Sequence, residues 1–465
     1  MTEFASLLAA DRGQNARPIH LVDKTSIDDW LKGRPPEDRA LIEVHRFDGK
    51  AADTFVILPR GGEFEVVAAV KDVAALSPWS LAALAGKLPE GAYKLASGEP
   101  GKAALGWLLA QHRFDIYRAK KDEPQRGPRV LVTAKAATID HTVRLAEATA
   151  LVRDLVNTPA GALGPAEIEQ AVREIAAEAA AQVRVTSGDE LSVGYPLIAA
   201  VGGAATAERA PRLIELEWGK PEHPRVALVG KGVCFDSGGL DLKQPGGMRL
   251  MKKDMGGAAH VLALAWLIMA ERLPIHLHLL IPAVENAVSA SAYRPGDIVK
   301  SRKGMFVEID NTDAEGRLIL ADALAKAAED KPELIVDFAT LTGAARVALG
   351  PDLPATFTNG DDLAADLDTA SREAEDPIWR MPLWDAYDDM LKSDIADFAN
   401  AANSTMAGCI IAALFLKKFV PQDISWAHLD TFAWRDHEKP GRPKGGEALG
   451  LRAVFSMLER RYGGV

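Results

Sequence analysis

The sequence predicts an α/β protein with a smaller N-terminal α/β domain, residues 1–128, and a larger domain, residues 129–465. In the larger domain we expect a mixed, largely parallel sheet flanked by helices. Three observations support this. The 465 residues exceed what one ordinary core holds. A polar segment rich in Pro and Gly, residues 120–128, separates two stretches of periodic sequence. After it, strand-like runs alternate with long helix-like runs, which is typical of a parallel sheet covered on both faces.

The pattern of each segment predicts its element. In the first domain, the predicted strands 54–58 and 65–70 precede a helix at 102–112. In the second, the predicted helices are 139–156, 165–181, 257–272 and 318–328, and the predicted strands are 183–186, 213–217, 226–229, 275–281 and 334–338. In such sheets ligands gather beyond the carboxyl ends of the strands. The loops that leave those ends are therefore where we expect function.

Composition disfavours several classes of protein. Charged residues make up 26% and hydrophobic residues 48% of the chain, without an apolar run of the ~18 residues that a membrane helix needs. The first thirteen residues lack a basic start and a long apolar run, so we expect a cytoplasmic protein. The two cysteines are expected to be reduced thiols. A net charge of −11 makes nucleic acid an unlikely partner and favours small substrates.

One octapeptide, residues 311–318 (Asn-Thr-Asp-Ala-Glu-Gly-Arg-Leu), carries the strongest chemical signal. It lies between an extended run and a helix-like run. In an extended backbone, side chains two residues apart share a face, so Asp313 and Glu315 would converge on one cation. Arg317 would lie in the first turn of the helix as a permanent positive charge that cannot bind a metal. We expect Arg317 to bind an anion or a substrate oxygen.

Two more strand-end segments add ionisable side chains to this motif. They are the glycine-rich loop 230–239, with Lys243 shortly after it, and the segment 251–257, which opens the next helix. The full set is Lys231, Asp236, Lys243, Asp254, Asp313, Glu315 and Arg317. Four carboxylates in one partly buried pocket repel one another strongly, so cations must compensate them.

Two divalent ions carry the charge that matches four carboxylates. Two-metal sites hydrolyse substrates through a bridging hydroxide, because a bound metal lowers the pKa of water to about 7. A lysine with the ordinary pKa of about 10.4 needs about 4.6 kcal/mol to lose its proton at pH 7. Coordination to a dication can supply that energy. One lysine is therefore a candidate neutral ligand, while the other stays cationic and polarises a carbonyl.

Each feature also has an ordinary interpretation. Asp313 and Glu315 suit the start of the following helix as capping residues. Residues 311–322 approximate a calcium loop, although a strand-like run precedes them and an aspartate stands where the bidentate glutamate belongs. The glycine-rich turns lack the spacing of a phosphate-binding loop. His276 and His278 share a strand face, for which a core strand is the favoured interpretation.

Five segments together match a known pattern, namely residues 229–232, 235–239, 252–259, 311–318 and 337–344. They closely resemble the bimetallic cytosol (leucyl) aminopeptidase family. The resemblance covers about residues 140–455, whereas the N-terminal domain matches only loosely. It implies that residues 129–465 form a catalytic metallo-aminopeptidase domain that removes the N-terminal residue from peptides. The substrate's free α-amine would bind one metal.

The resemblance also implies the metal ligands. One ion would be held by Lys231, Asp236, Asp254 and Glu315, and the other by Asp236, Asp313 and Glu315. The implied cofactors are two divalent ions, Mn²⁺ or Zn²⁺, with Mg²⁺ also acceptable to carboxylates, and a bicarbonate ion. The implied assembly is a homohexamer.

Further roles follow from the same resemblance. Lys243 would be the electrophile beside the scissile carbonyl, and Arg317 would bind the bicarbonate, which relays protons. The implied substrate contacts are Met251, Asn311, Thr340, Leu341 and Gly343. One departure concerns substrate preference, because Phe432 stands where the family has a small residue near its side-chain pocket. The preferred N-terminal residue is therefore not predicted.

Two other functions are alternatives. Members of this family can also serve as architectural DNA-binding proteins, which the acidic balance of this chain disfavours. A two-metal phosphoesterase is the second alternative. A lysine ligand and a single arginine in the central motif fit phosphate esters less well than peptides.

Overall fold

The structure is a computed structural model that describes residues 2–118 and 127–464. The chain divides into two compact units. One unit comprises Met1–Ala150 and Asp436–Lys444, and the other comprises Leu151–Arg435 and Gly445–Val465. Most of the predicted linker, residues 120–128, lies outside the described residues. The domain boundary at residue 128 stays a prediction, and the two units divide within the helix Ile139–Asn157.

The first unit is built on one sheet. Its described strands are β1 (Leu8–Ala10), β2 (Arg17–Val22), β3 (Phe55–Arg60), β4 (Glu63–Ala69), β5 (Gly91–Leu95) and β6 (Arg129–Thr133). Its described helices are α1 (Ile27–Lys32), α2 (Pro36–Val44), α3 (Ala82–Lys87), α4 (Ala103–Leu109) and the first part of α5 (Ile139–Asn157). The strand order is β1-β6-β5-β2-β4-β3, and only the β3–β4 pair among these described strands is antiparallel. The predicted α/β character of the N-terminal domain is confirmed.

The second unit contains more strands and longer helices. Its described strands are β7 (Gln182–Ser187), β8 (Arg212–Trp218), β9 (Arg225–Gly230), β10 (Gly232–Asp236), β11 (His276–Asn286), β12 (Ile298–Lys300), β13 (Phe306–Glu308), β14 (Leu334–Ala339), β15 (Ala355–Thr358), β16 (Trp379–Arg380), β17 (Phe398–Ala399), β18 (Ser425–Asp430), β19 (Trp434–Arg435) and β20 (Gly445–Gly446). Its described helices are the rest of α5, α6 (Pro165–Ala179), α7 (Gly188–Gly194), α8 (Pro196–Gly202), α9 (Pro245–Met248), α10 (Gly256–Ala270), α11 (Glu315–Glu329), α12 (Gly343–Leu349), α13 (Asp361–Ala374), α14 (Gly408–Lys417) and α15 (Leu451–Tyr462). Short 3₁₀ segments in the two units are Phe4–Leu7, Ala136–Thr138, Ala160–Ala162, Ala207–Arg209, Met251–Met255 and Asp385–Leu391.

The main sheet of this unit is mixed and largely parallel, as predicted. Its strand order is β16-β15-β18-β14-β9-β11-β8-β7, with β10 paired to β11. The central strands β18, β14, β9 and β11 are parallel to their neighbours in that group. Strand β14 is buried at every position, and β9 is buried at every position except its first. Such continuous apolar strands are typical of a parallel sheet with both faces covered.

Three elements differ from the sequence-based expectation. The loop 230–239 contains the short strand β10, because its backbone pairs in parallel with the far end of β11. Strand β11 continues to Asn286, beyond the predicted end at residue 281. Helix α11 begins at Glu315 rather than at residue 318. The cores of the other predicted helices and strands are confirmed within a few residues.

The sheet brings the starts of three loops, those after β9, β14 and β18, to one edge. Gly230 is level with Phe338 on the neighbouring strand, and Ala339 is level with Asp430. The residues that follow these strands therefore begin at the same edge of the sheet. No described helix is both long and apolar enough to cross a membrane.

Helix α10 approaches this edge so closely that one position requires glycine. A Cβ atom on Gly257 would collide with the carbonyl oxygen of Phe338 and lie 2.8 Å from the backbone nitrogen of Lys231. Both neighbours are backbone atoms, which cannot move aside without shifting a strand. The closeness of helix and strand fixes where the segment Met251–Met255, just before the helix, can lie.

Gly257→Ala is expected to lower the free energy of unfolding by about 1–3 kcal/mol, the usual cost of overpacking a core. Chemical denaturation followed by circular dichroism measures it. Gly161→Ala is the matched control, because a Cβ there meets nothing within 4 Å. Equal stability of the two variants would show that the close approach is not a constraint.

Candidate metal centre and substrate cleft

The predicted ionisable residues come together at the carboxyl edge of the parallel strands. Lys231 directly follows β9, and its backbone nitrogen donates to the Phe338 carbonyl at 3.0 Å. Asp236 ends β10, and Asp254 lies in the 3₁₀ segment before α10. Glu315 is the first residue of α11. Elements far apart in the sequence, from Lys231 to Glu315, thus bring their side chains to one place.

Three carboxylates face one another closely enough to share an ion. One ligand atom from each of Asp236, Asp313 and Glu315 lies within 4.8 Å of the other two. Oxygen atoms at such spacing are the ligand type that hard or borderline divalent cations prefer. The structure therefore supports the predicted convergence of these three residues.

The backbone between Asp313 and Glu315 is not extended, contrary to the sequence-based argument. Asp313 lies in a turn, Ala314 precedes the helix with φ −108° and ψ 39°, and Glu315 is already helical. The Asn311 side chain fixes this turn by accepting a hydrogen bond from the Asp313 nitrogen at 2.7 Å. The two carboxylates converge because the chain turns between them, not because they share a strand face.

Two lysines lie between the carboxylates. Lys231 Nζ is 2.7 Å from Asp254 Oδ2 and 2.9 Å from Glu315 Oε1. A Cβ on Gly316 would come 2.7 Å from that Nζ, so this glycine leaves the space that the lysine occupies. Lys243 Nζ is 2.8 Å from Asp236 Oδ2 and also contacts Asp313. All six side chains thus form one charged cluster.

Burial makes the charge balance of the cluster unfavourable. Desolvation and the neighbouring Asp236 raise the pKa of Glu315 to about 8 and that of Asp313 to about 6. Burial alone would lower the pKa values of Lys231 and Lys243, but the surrounding carboxylates raise them above the usual range. Two lysines therefore compensate four carboxylates only in part. More positive charge is needed to ionise all four.

The donor set fits divalent ions. Four carboxylates and two lysines carry a formal charge of −2, and bound dications would compensate this negative charge. In the described part of the chain, Glu315 Oε2 is buried and accepts no hydrogen bond, so one oxygen is left for a ligand. Unsatisfied buried carboxylate oxygens are costly unless a cation or donor reaches them.

A cavity of about 230 Å³ opens beside Asp313. Its lining includes Arg317, Asn311, Leu341 and Gly343. Thus three of the five predicted substrate contacts line this cavity. The other two, Met251 and Thr340, do not line it and lie on the side of Asp254 instead, Met251 within the same 3₁₀ segment.

Arg317, which is half-buried, lines this cavity. Its Nη1 donates to the Asn400 carbonyl at 2.7 Å, and its Nε has no hydrogen-bond partner within the described residues. Burial lowers the pKa of Arg317 to about 10, which leaves the side chain charged at pH 7. A charged donor without a partner favours a bound anion.

Sequence reasoning missed two residues that hold the site in place. Asn400 is fully buried, and its side chain accepts from the backbone nitrogens of Asp310 and Asn311 and donates to the Asn311 carbonyl. Asp430 accepts from the nitrogens of Leu341 and Thr342 at 2.9 and 3.1 Å. Asp430 ends β18, and nothing in the sequence around Asn400 marked that residue.

Comparison with known proteins decides the family. The model of the cytosol aminopeptidase family, catalytic domain, matches residues 150–455, and that of the M17 aminopeptidase N-terminal domain matches residues 17–126. The chain belongs to the cytosol aminopeptidase family. The predicted resemblance is therefore confirmed, and it extends to the N-terminal domain.

Individual relatives agree with this assignment. A probable cytosol aminopeptidase of Syntrophotalea carbinolica is 42% identical over 76% of this chain and 74% of its own length. The crystal structure of a cytosol aminopeptidase from Coxiella burnetii is 45% identical, with a TM-score of 0.92 over 98% of this chain and 99% of its own. The bottromycin maturation enzyme BotP in complex with Mn is 32% identical, with a TM-score of 0.84 over 98% of this chain and 99% of its own.

The protein is a metal-dependent aminopeptidase, a hydrolase that acts on peptides. This agrees with the function that the sequence predicted. The comparisons do not favour the alternatives of an architectural DNA-binding protein or a phosphoesterase.

Proposed function

We propose that the charged cluster binds two divalent ions and hydrolyses the first peptide bond of substrates with a free N-terminus. One ion would be held by Lys231, Asp236, Asp254 and Glu315, and the other by Asp236, Asp313 and Glu315. The observation that carries this proposal is the uncompensated cluster itself. Three buried carboxylates and the half-buried Asp313 meet there with two lysines, and the buried Glu315 Oε2 accepts no hydrogen bond from the described residues.

The chemical identity of the ions is also proposed. Mn²⁺ and Zn²⁺ are the first candidates and Mg²⁺ is a third, because oxygen ligands accept all three and availability usually selects among them. The Mn complex of BotP, at 32% identity, supports Mn²⁺. Two bound dications would supply an activated water at neutral pH and a positive field on the scissile carbonyl.

The chain's own residues would orient and polarise the substrate. Lys243 places its ammonium group between Asp236 and Asp313, and Asp313 lines the cavity. There it would donate to the carbonyl oxygen on which negative charge develops. Arg317, through its unpaired Nε, would hold a bicarbonate ion near the proton that passes to the leaving amine.

We also propose the location, the assembly, the substrate contacts and the domain boundary of the protein, on the basis of the family resemblance. We place the protein in the cytoplasm and its active form in a homohexamer. We place Met251, Asn311, Thr340, Leu341 and Gly343 in contact with the substrate. We keep the domain boundary at residue 128, which lies between the two regions matched by family models.

Lys243→Ala is expected to lower kcat by roughly 10²- to 10³-fold, because a preorganised charge at the oxyanion is lost. Steady-state kinetics on a leucyl anilide measures the effect, and calorimetric titration with Mn²⁺ should still show metal binding. Lys392→Ala, at an exposed lysine of the same unit, serves as the control. Turnover within a factor of two of wild type would remove Lys243 from the mechanism.

Capture of the substrate amine by one ion predicts strict dependence on a free N-terminus. Cleavage of Leu-Gly-Gly and N-acetyl-Leu-Gly-Gly, followed by chromatography, should differ by at least about 10³-fold in kcat/KM, the size of a lost orienting interaction. Comparable cleavage of the acetylated peptide would contradict amine capture and indicate an endopeptidase.

A further inference from the structure

Asn286 lies next to the proposed metal ligand Asp236. It ends β11, is 1% exposed, and pairs in the sheet with Asp236, the last residue of β10. Between the pair Val233–Val284 and the pair Asp236–Asn286, β10 contains one more residue than β11. Such a β-bulge changes the direction in which the following side chain points. The irregularity of this strand pair thus accompanies a close contact between the Asp236 carboxylate and the Asn286 amide.

The amide nitrogen of Asn286 joins the end of β10 to the octapeptide 311–318. Its Nδ2 donates to Asp236 Oδ1 at 2.9 Å and to the Thr312 carbonyl at 3.1 Å. Because both of these neighbours are acceptors, only the nitrogen end of the amide fits there. Thr312 immediately precedes Asp313, and Glu315 follows two residues later. A single nitrogen therefore connects one proposed metal ligand with the segment that carries two others.

The two oxygens of Asp236 have different surroundings. Oδ1 accepts from the Gly238 nitrogen at 2.8 Å and from Asn286 Nδ2. Oδ2 faces the charged cluster, where it is 2.8 Å from Lys243 Nζ. A carboxylate oxygen that accepts two hydrogen bonds has both of its lone-pair directions in use. Asn286 therefore fixes which oxygen of Asp236 is left for an ion.

The other end of the Asn286 amide lacks a partner. Within residues 2–118 and 127–464, the buried Oδ1 accepts no hydrogen bond. The loop after β10 passes close to it, since a Cβ on Gly239 would lie 2.9 Å from this oxygen. An unsatisfied buried oxygen is unfavourable, and an apolar side chain of the same shape would avoid it. The presence of an amide is therefore explained by what its nitrogen does.

Other hydrogen bonds between the two segments do not involve a carboxylate of the cluster. The Thr312 nitrogen donates to Asp241 Oδ2 at 2.7 Å, and the Thr312 hydroxyl donates to the Gly238 carbonyl at 2.7 Å. These bonds keep the two backbone segments together. Asn286 adds the bond that orients a metal-binding carboxylate against the octapeptide.

Neither acceptor depends on Asn286 alone. Asp236 Oδ1 keeps its bond from the Gly238 nitrogen, and the Thr312 carbonyl also accepts from the Tyr293 hydroxyl at 2.6 Å. Loss of the amide would thus leave each acceptor with one donor. Since the large cost of a lost hydrogen bond comes from a buried group left unpaired, the stability of the fold should change little.

We propose that Asn286 is a positioning residue, which holds Asp236 at a fixed distance from the octapeptide and so gives the centre its affinity for a second ion. That ion is the one assigned to Asp236, Asp313 and Glu315. Groups that orient a metal ligand typically affect metal affinity strongly although they do not touch the ion. This inference rests on the proposed function, because it assumes that two ions bind at the cluster.

The ion with four proposed ligands should depend less on Asn286. Two of its ligands are held by Thr340 instead. Lys231 Nζ donates to the Thr340 carbonyl at 3.0 Å, and Asp254 Oδ1 accepts from the Thr340 hydroxyl at 2.9 Å. Loss of the Asn286 amide should therefore weaken one ion more than the other.

Asn286→Leu removes both ends of the amide and keeps the approximate shape of the side chain. Calorimetric titration of the metal-free, full-length variant with Mn²⁺ should show one of the two ions bound roughly 10- to 100-fold more weakly than in wild type. The unfolding temperature of the metal-free variant should stay within about 3 °C of wild type, because no buried acceptor is left without a donor. Half-maximal cleavage of a leucyl anilide should need correspondingly more Mn²⁺, with kcat restored at saturating metal and KM for the anilide unchanged.

Asn359→Leu is the matched control. The Asn359 side chain also makes two hydrogen bonds, donating to the Ile424 carbonyl and accepting from the Trp426 nitrogen, both at 2.8 Å. It lies beside the start of β18, whereas the cluster lies beyond the carboxyl ends of the parallel strands. This variant should lose stability and keep the wild-type affinity for both ions.

Unaltered Mn²⁺ affinity in Asn286→Leu, or a loss of affinity shared equally by both ions, would overturn the proposal. If Asn286→Leu does not fold, Asn286→Ser provides the same comparison. A wild-type chain that binds fewer than two ions contradicts the proposed function itself. Two ions bound equally well by wild type and variant refute only the role of Asn286.

Discussion

Repulsion among four carboxylates, three buried and one half-buried, is the constraint on which the rest of the structure depends. Asp236, Asp254, Asp313 and Glu315 lie at one sheet edge with two lysines between them. Desolvation first, and repulsion from Asp236 second, raise the pKa values of Asp313 and Glu315. A fold can keep such a group only if a function requires it, because protonation or unfolding would otherwise relieve the cost.

The fold meets this constraint with rigid positioning. The parallel strands β9 and β14 end side by side, so the loops that follow them begin at the same edge of the sheet. The close contact of Gly257 in α10 with the backbone of Phe338 limits where Asp254, just before this helix, can lie. Asn400 and Asp430, both buried, tie the loops of the cleft to neighbouring strands. Precise placement matters because catalysis by positioned charges falls steeply when donors move. The structural residues around the site are therefore part of its chemistry.

Sequence alone predicted much of this arrangement, for reasons that differ between residues. The periodicity of 226–229 and 334–338 indicated buried parallel strands, and acidic residues in strand-end loops indicated a metal site. The prediction of an extended backbone from Asp313 to Glu315 was wrong, because two carboxylates at this spacing can converge in more than one backbone conformation. Asn400 was missed because a buried amide that supports a distant loop leaves no local pattern. The contact of Phe432 with Arg346 depends on tertiary packing, which a linear pattern does not encode.

Titration of metal-free protein with Mn²⁺ in a calorimeter tests the central claim most directly, because it measures charge compensation without reference to turnover. The account predicts two ions bound per chain, with proton release as Asp313 and Glu315 ionise, and loss of at least one ion in Glu315→Gln. Binding of a single ion, or of none, by the wild-type chain would contradict it.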